Sequence, residues 1–422
     1  MFVLLPTTYC LLSTIFMGVF MGDFYQLGVI STFHRLGKID IDKLESQLKK
    51  FSRVRPIALV LPALFTDLEG EAMKTILNIL KDVKYLNEII VTLGRADESQ
   101  FKRAREIISV LPHDVKIIWN DGQRLQKLYA LLKENDLDAG GDGKGRSAWI
   151  SYGYILAEGK SDVIVLHDCD IVTYDRQLLA RLCYPVANPN LDYEFCKGFY
   201  ARVTDRMHGR VTRLLVTPLI RAMAKIMGTH PMLSYFDSFR YSLSGEFAMF
   251  TDMARINRIP GDWGLEIGVL AEVYRNSSPK RICQVDISDN YEHRHQPLSA
   301  ENASTGLMKM AIDISKTLFR NLATEGVTFS DGLFKSLRVT YLRTAQDMMK
   351  RYHDDAMING LFFDRHSEEL AISSFAQAIK TAGEQFMDDP LGASLIPNWN
   401  RVTSAIPDFF DMLMEAVNED NK

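Results

Sequence analysis

The chain has 422 residues, of which 47% are hydrophobic and 24% are charged, and its formal net charge at pH 7 is −4. This composition is typical of a globular protein and excludes disordered and fibrous classes. The balance of 49 basic against 53 acidic residues gives no overall attraction to nucleic acid or anionic lipid. We therefore expect no nucleic-acid partner, no membrane contact, and only local sites for anions.

The first 22 residues, 1–22, carry no charge, and the first basic side chain is Arg35. A secretory signal begins with a positive region, which this segment lacks. We expect translation to begin at Met17 or Met21. Two alternatives stay open, namely a membrane anchor and a buried apolar segment.

The cysteines are few, odd in number and without Cys-x-x-Cys spacing. This pattern predicts neither a disulfide framework nor a structural zinc site and favours a reducing cytoplasm. They are Cys10, Cys169, Cys183, Cys196 and Cys283.

Between residues 40 and 170, short apolar runs alternate with amphipathic stretches of helical length. The runs are continuous and rich in β-branched residues, as expected for parallel strands buried on both faces. Predicted strands are 57–62, 88–93, 115–119 and 162–167, and predicted helices are 42–51, 71–80, 98–111, 124–133 and 148–158. The alternation predicts an α/β fold, with a Rossmann-like, mixed or parallel sheet flanked by helices.

From residue 190 to 300 the pattern is mixed, and beyond 300 only helical periodicity remains. Strands are predicted at 195–203 and 280–287, and helices at 211–227, 305–322, 334–352, 368–386 and 409–417. We predict a main domain over 40–300 and a helical C-terminal extension over 301–422. Apolar stripes in the extension predict packing on the core or a homodimer.

Two carboxylates, Asp168 and Asp170, directly follow the predicted strand 162–167. Ligands bind outside the carboxyl ends of strands in such sheets. Two oxygen ligands at this place suit Mg²⁺ or Mn²⁺ held together with a diphosphate. The same spacing at 40–42 and 136–138 follows no apolar strand, so we interpret those pairs as helix-entry and turn residues.

A glycine-rich segment, 140–145, contains Lys144 and precedes a predicted helix. Such backbone can approach a phosphate or nucleotide closely, and the lysine adds a positive charge. It lacks the spacing of a Walker A loop, and a flexible surface turn is the alternative interpretation.

The segment Gly209-Arg210-Val211-Thr212 opens a predicted helix that also carries Arg213. Free backbone N–H groups, a hydroxyl and guanidinium groups at a helix start form an anion site. An ordinary helix entry with solvated arginines is the alternative.

Two further segments carry polar groups beside apolar elements. Glu266 in Trp263-Gly-Leu-Glu266 begins an apolar helix, where it could bind a sugar hydroxyl, act as a base, or simply favour the helix dipole. The run Tyr291-Glu-His-Arg-His295 contains His293, a candidate metal ligand, although such loops are often only solvated.

The motifs, taken in chain order, resemble those of the retaining glycosyltransferases that include glucosyl-3-phosphoglycerate and mannosyl-3-phosphoglycerate synthases. Seven motifs in one order are more specific than any one of them. They are Leu61–Leu64, Gly143–Gly145, Asp168–Asp170, Gly209–Thr212, Ser244–Glu246, Trp263–Gly268 and Glu292–Arg294. The resemblance implies a GT-A fold, a nucleotide-sugar donor of the UDP-glucose or GDP-mannose type, and Mg²⁺ or Mn²⁺.

The resemblance also implies roles for individual residues. Donor binding falls on Pro62, Ala63, Leu64, Lys144, Asp168, Cys169, Trp263 and Glu266. Metal binding falls on Asp170 and His293, and catalytic roles fall on Glu266 and Asp170. Acceptor binding falls on Gly209, Arg210, Thr212 and His295. The implied acceptor is a small phosphorylated molecule such as 3-phosphoglycerate, and the implied pathway is cytoplasmic glucosylglycerate (compatible-solute) biosynthesis.

Some positions depart from the family pattern. Tyr291 and Gln296 stand where a basic residue and an arginine-like partner are common, and His295 stands where asparagine is common. These departures leave the identity of both substrates open.

Two other classes of protein compete with this interpretation. The run Asp168-Cys-Asp-Ile-Val172 also fits haloacid-dehalogenase-type phosphatases, in which Asp168 would be a covalent nucleophile. That motif normally follows the first strand of its domain, whereas at least three strands precede it here. A non-enzymatic helical scaffold would leave the series of motifs unexplained.

Overall fold

A computed structural model of the chain describes residue 26 and residues 28–292, 306–392 and 394–422. The apolar segment 1–22 and the candidate site residues His293 and His295 lie outside the described residues. Among the residues it does describe, no helix is both long and apolar enough to cross a membrane.

Eight strands form one mixed sheet, which confirms the predicted α/β class. In chain order they are β1 Ser31–Phe33, β2 Ile57–Leu64, β3 Glu88–Gly94, β4 Asp114–Trp119, β5 Val163–Leu166, β6 Phe195–Tyr200, β7 Phe247–Phe250 and β8 Ile282–Ser288. Their order across the sheet is β1-β8-β6-β7-β5-β2-β3-β4. Only β7 runs antiparallel to its neighbours β5 and β6. Its amino end therefore lies at the edge where the other strands end.

Sixteen α-helices lie among the described residues. They are α1 Ile41–Phe51, α2 Phe65–Leu68, α3 Glu71–Leu80, α4 Glu98–Ile108, α5 Gln123–Glu134, α6 Lys144–Glu158, α7 Arg176–Ala187, α8 Thr217–Met227, α9 Pro231–Ser238, α10 Thr251–Ile256, α11 Leu265–Asn276, α12 Gly306–Thr324, α13 Asp331–Ile358, α14 Arg365–Asp388, α15 Trp399–Ala405 and α16 Phe409–Asp420. A π-helix, Val211–Val216, leads into α8, and a 3₁₀ turn, Pro279–Arg281, precedes β8.

The apolar core has two parts, one on each face of the sheet. Along β2, Ala58 and Val60 face one part, while Ile57 and Leu59 face the other. This alternation follows from the two-residue period of a strand, and burial on both faces explains the unbroken apolar sequence.

The C-terminal helices share the core of the sheet rather than forming a separate one. Trp399 stacks on Trp149 of α6 with ring centroids 4.0 Å apart, and Trp149 Nε1 donates to the Pro397 carbonyl at 2.8 Å. A Cβ on Gly153 would lie 2.1 Å from the Trp399 ring, so only glycine fits there. The predicted domain limit at residue 300 stays a prediction.

The edge of the sheet at β4 is covered by the end of the chain. Asn421 Nδ2 donates to the Ile117 carbonyl at 2.8 Å, and the Ile117 amide donates to Asn421 Oδ1 at 3.0 Å. One amide side chain thus replaces a neighbouring strand and blocks edge-to-edge pairing there.

Most predicted elements are confirmed, but β1, α2, α7, α9, α10 and α15 were not predicted, and three further differences follow. Helix α6 begins at Lys144, four residues before its predicted start, because glycines dilute the apolar signal there. Strand β7 was not predicted, since four residues running straight into α10 carry too little pattern. The predicted helix 211–227 begins as a π-helix, which a 3.6-residue periodicity cannot reveal.

Candidate active site

Four charged side chains meet at the carboxyl edge of the sheet. Asp168 follows β5, Glu246 immediately precedes β7, Lys144 is the first residue of α6, and Glu266 lies in the first turn of α11. Lys144 forms an ion pair with Asp168, and its Nζ lies 3.6 Å from Glu266 Oε1. Three residues that the sequence predicted for one site, Lys144, Asp168 and Glu266, are brought together.

The lysine is the positive centre of this cluster. Burial alone would lower the pKa of Lys144, but the charges of Asp168, Glu266 and Glu246 raise it above its usual value. An ammonium group among carboxylates favours its charged form. Lys144 is therefore a fixed positive charge at any physiological pH.

Gly245 leaves room for the ion pair. A Cβ at this position would lie 2.5 Å from Lys144 Nζ and 2.8 Å from Asp168 Oδ2. Any larger residue would have to displace both groups. The Ser-Gly-Glu motif thus includes a glycine because backbone approaches the charged pair closely.

Glu246 lies in this cluster, although the sequence analysis assigned it no role. It is fully buried; Tyr200 donates to its Oε2 at 2.8 Å and Tyr291 donates to its Oε1. The two tyrosine rings stack with centroids 3.7 Å apart, and burial raises the pKa of Glu246. Its place directly before a strand that runs against its neighbours could be recognised only once β7 was known.

Lys197 on β6 is a second buried cation that the sequence did not single out. Its Nζ lies 5.7 Å from the centroid of the Phe247 ring and has no hydrogen-bond partner among the described residues. Burial lowers its pKa to about 8, although the charges of Glu266 and Glu246 act in the opposite direction. A single lysine in an apolar strand does not indicate from the sequence that it lies beside a cluster of charged residues.

The segment after β5 places Asp168 and Asp170 on one side and Cys169 on the other. Both aspartates are partly exposed, whereas the Cys169 thiol is buried and burial raises its pKa. Cys169 can therefore meet a donor through its backbone only. Upstream, His167 Nδ1 bonds to the Asp168 carbonyl at 2.8 Å, and burial lowers the pKa of His167 to about 4. A neutral histidine thus holds the turn.

The two aspartates are suitable ligands for a divalent cation, but two carboxylates alone do not fill its coordination shell. Among the described residues, no group of three His, Cys, Asp or Glu side chains could hold a metal ion. Carboxylates on one side of a turn are nevertheless hard oxygen ligands, and Mg²⁺ commonly binds one or two of them together with substrate phosphates and water. The donor set therefore fits the predicted cation, and the role of His293 stays a prediction.

The remaining donor-binding candidates lie along the same edge. Pro62, Ala63 and Leu64 end β2, the neighbour of β5, and Trp263 precedes α11. Leu64 and Trp263 are 39% and 42% exposed. Exposed apolar groups beside charged ones are typical of ligand sites.

The acceptor candidates lie on the segment that leads into the π-helix. Gly209 has a φ of +72°, a conformation that favours glycine. Arg210 Nε donates to Glu368 Oε1 at 2.7 Å, so this predicted anion ligand is ion-paired. The Thr212 hydroxyl is buried without a hydrogen-bond partner in the described part of the chain.

Aromatic side chains join the two halves of the site. A Cβ on Gly209 would lie 3.4 Å from the Tyr241 ring, whose centroid is 5.0 Å from that of Tyr200. Arg202 Nη1 donates to the Tyr241 hydroxyl at 3.2 Å. Since Tyr200 also bonds to Glu246, a chain of side-chain contacts connects Gly209 to the charged cluster.

No protein-family model matches the chain. Crystal structures of glucosyl-3-phosphoglycerate synthase from Mycobacterium tuberculosis superimpose on it at 24% sequence identity with a TM-score of 0.51. The complex with Mg²⁺ and UDP covers 72% of this chain and 89% of that one. The complex with Mn²⁺, UDP-glucose and phosphoglyceric acid covers 71% and 89%. These similarities confirm the predicted GT-A fold.

Relatives closer in sequence span almost the whole chain. The glucosyl-3-phosphoglycerate synthase of Persephonella marina is 49% identical over 401 residues, which are 95% of this chain and 99% of that protein. That of Methanococcoides burtonii is 39% identical over 406 residues, or 95% and 98% of the two chains. The chain therefore belongs to the glucosyl-3-phosphoglycerate synthases, a family of glycosyltransferases.

Proposed function

We propose that the protein transfers glucose from UDP-glucose to 3-phosphoglycerate, with retention of configuration, and releases UDP in a reaction that uses Mg²⁺ or Mn²⁺. The observation that carries this proposal is the 49% identity over 95% of the chain to an enzyme of that name. The M. tuberculosis enzyme was crystallised with Mn²⁺, UDP-glucose and phosphoglyceric acid. Mannose, which the sequence left open, has no such support.

Membership in a glycosyltransferase family argues against both alternative interpretations, the phosphatase and the non-enzymatic scaffold. It also agrees with the surroundings of Asp168, the candidate phosphatase nucleophile. This carboxylate forms an ion pair with Lys144, and it follows the fifth strand rather than the first.

The donor half of the site has to offset the negative charge that develops on the leaving diphosphate. Asp168 and Asp170 would hold the cation, which supplies charge neutralisation on the leaving group when it is bound. Lys144 presents a permanent ammonium group at the same edge. Electrostatic stabilisation of developing charge is commonly the largest contribution to catalysis. We assign the sugar to Glu266, which lies 3.6 Å from that ammonium, and the nucleotide to the end of β2.

The acceptor half suits a small phosphorylated anion. Arg210, the backbone of Gly209 and the buried Thr212 hydroxyl lie at the start of the π-helix. A guanidinium with backbone and hydroxyl donors is a common arrangement for phosphate. The assignment of His295 to the acceptor rests on the resemblance alone.

Two side chains next to Asp168 belong to nucleophilic types, and neither suits attack on the sugar. Both Glu246 oxygens accept hydrogen bonds from tyrosines, and the Cys169 thiol is buried with a raised pKa. The resemblance to the family implies attack by the acceptor hydroxyl from the face of the leaving group, and we favour this mechanism, with no covalent enzyme intermediate.

The proposal is tested by incubating the protein with Mg²⁺, 3-phosphoglycerate and either UDP-glucose or GDP-mannose. We expect transfer from UDP-glucose and release of UDP. Release of inorganic phosphate without sugar transfer would contradict the proposal.

Asp170→Ala tests the cation site by calorimetry. We expect UDP-glucose binding to lose its dependence on Mg²⁺, because one of two carboxylate ligands is removed. Asp42→Ala is the matched control, since it lies in an Asp-x-Asp pair on the exposed start of α1. Unchanged Mg²⁺-dependent affinity in Asp170→Ala would refute the assignment.

We further propose that the protein is a cytoplasmic homodimer whose product supplies glucosylglycerate, a compatible solute. The four described cysteines carry free thiols, as a reducing compartment favours. Large apolar side chains are exposed where α13 ends and α14 begins, namely Met357, Ile358, Phe362 and Leu370. Light scattering after size-exclusion chromatography measures the oligomeric state, and a monomer would contradict the dimer.

A further inference from the structure

The C-terminal extension reaches the segment that carries the acceptor candidates. The Phe362 amide, in the loop between α13 and α14, donates to the Asp205 carbonyl at 2.8 Å. The Arg206 guanidinium lies over the Phe362 ring, 5.0 Å from its centroid. The loop of the extension therefore packs directly on residues that precede Gly209.

One acidic residue of the extension binds both arginines at the start of the π-helix. Glu368 Oε1 accepts from Arg210 Nε at 2.7 Å, and Glu368 Oε2 accepts from Arg213 Nη1 at 2.9 Å. The neighbouring Ser367 hydroxyl lies 3.1 Å from Arg210 Nη2. Glu368 itself is 4% exposed, so its carboxylate is buried, whereas its two partners are only partly buried.

The two arginines differ in what else they touch. Arg213 also donates to the His208 and Met207 carbonyls and lies 5.1 Å from the centroid of the Tyr352 ring. Its side chain is only 11% exposed, whereas that of Arg210 is 29% exposed. Arg213 therefore fixes the segment, and Arg210 is the cation that an incoming anion can reach.

Holding a guanidinium through two of its nitrogens restricts its rotation. A side chain fixed before binding loses less conformational entropy when the ligand arrives. The carboxylate also offsets only one of the two positive charges, so the pair of arginines keeps a net charge of one. An anion is thus still attracted, and it meets a guanidinium of set orientation.

From this geometry we infer that Glu368 is a positioning residue for the acceptor: it orients Arg210 from the C-terminal extension. The inference rests on the proposed function, since it takes Arg210 to bind the phosphate of 3-phosphoglycerate. It assigns the helical extension a part in the acceptor site, in addition to its packing on the sheet.

The first test is steady-state kinetics of Glu368→Ala and Glu368→Gln. We expect Glu368→Ala to raise the acceptor KM about tenfold, while kcat and the donor KM change less than twofold, because one oriented charged contact is lost. Glu368→Gln keeps the size and part of the hydrogen bonding, so its acceptor KM should rise less. Glu369→Gln, the adjacent residue on α14, is the control. Equal changes in donor and acceptor KM would overturn the inference.

A double-mutant cycle shows whether Glu368 acts through Arg210. If it does, Glu368→Ala adds no further rise in acceptor KM once Arg210 is alanine. The full rise in that background would overturn the inference. A wild-type acceptor KM in Arg210→Ala would instead contradict the proposed acceptor site. Thermal unfolding shows whether Glu368→Ala is folded. If it is not, Glu368→Gln replaces it in the cycle, and an unchanged acceptor KM in Glu368→Gln counts against the inference.

Discussion

Both ends of the sheet contain buried carboxyl groups, but the negative charge of these groups is compensated differently at the two ends. At the carboxyl end, Lys144 lies among Asp168, Glu246 and Glu266, and the pKa of the lysine is raised above its usual value. At the amino end, Glu88 begins β3 beside Glu158 of α6, and burial followed by hydrogen bonding to Glu158 raises the pKa of Glu88 to about 8.

The difference is whether a cation lies inside the cluster. A central lysine keeps a permanent charge in place, so the carboxyl end can bind and polarise charged ligands. Without a central cation, two close carboxyl groups share one proton, so the pair carries one negative charge instead of two. At the carboxyl end the acidic residues thus surround a permanent positive charge, whereas at the amino end one of them holds a proton.

Lys144→Ala should have the largest effect, since it removes the central cation. We expect kcat/KM for UDP-glucose to fall by roughly 100- to 1,000-fold, the magnitude typical for loss of one group that stabilises developing charge. Steady-state kinetics at saturating 3-phosphoglycerate measures it. Lys127→Ala, on the exposed side of α5, is the control. A loss below tenfold would show that the cluster does not depend on its lysine.

For the charged cluster, the sequence predicted the strands and the residues that follow them, but not every side chain that they contact. Strands β2 and β5 were recognisable because burial on both faces makes them continuously apolar. Asp168 and Lys144 were recognisable because chemistry in such folds follows strand ends. Glu246 has no such signal, because its position depends on a strand of four residues that runs in the opposite direction.

Two contacts between distant segments left no signal in the sequence. Glu368 lies 158 residues after Arg210, and its helix shows only an ordinary amphipathic pattern. Lys197 is one polar residue in an apolar strand, and its charged neighbours come from other elements, both earlier and later in the chain. Such pairs depend on how elements pack, which a single sequence does not encode locally.

Glu88→Gln tests the amino end of the sheet through stability. The folded-state pKa of Glu88, about 8, lies above its ordinary value of 4.5. Its contribution is therefore fully present below about pH 4.5 and is lost as the pH rises through 8. Glutamine cannot ionise, so we expect this variant to be more stable than the wild type at pH 9 by roughly 1–3 kcal/mol.

Urea unfolding of both proteins between pH 5 and 9 measures this difference. The wild type should lose stability across that range relative to Glu88→Gln, and the two curves should converge at the acidic end. Glu98→Gln, at the exposed start of α4, is the matched control. Parallel curves would show that Glu88 is ionised in the folded protein and that the two ends of the sheet do not differ as described.

Lys160→Ala should have the smallest effect on stability. It tests whether the carboxyl pair at the amino end has a compensating cation of its own. Lys160 lies outside the carboxyl pair: its Nζ is 2.7 Å from Glu158 and 3.1 Å from Asp114, and its side chain is 46% exposed. Because the lysine is half-exposed, water and salt screen its ion pairs, so we expect a loss of less than about 1 kcal/mol at pH 8, smaller still in 1 M NaCl. Urea unfolding at two salt concentrations measures it. A loss as large as the gain from Glu88→Gln would mean that Lys160 neutralises the carboxyl pair, as Lys144 does at the other end.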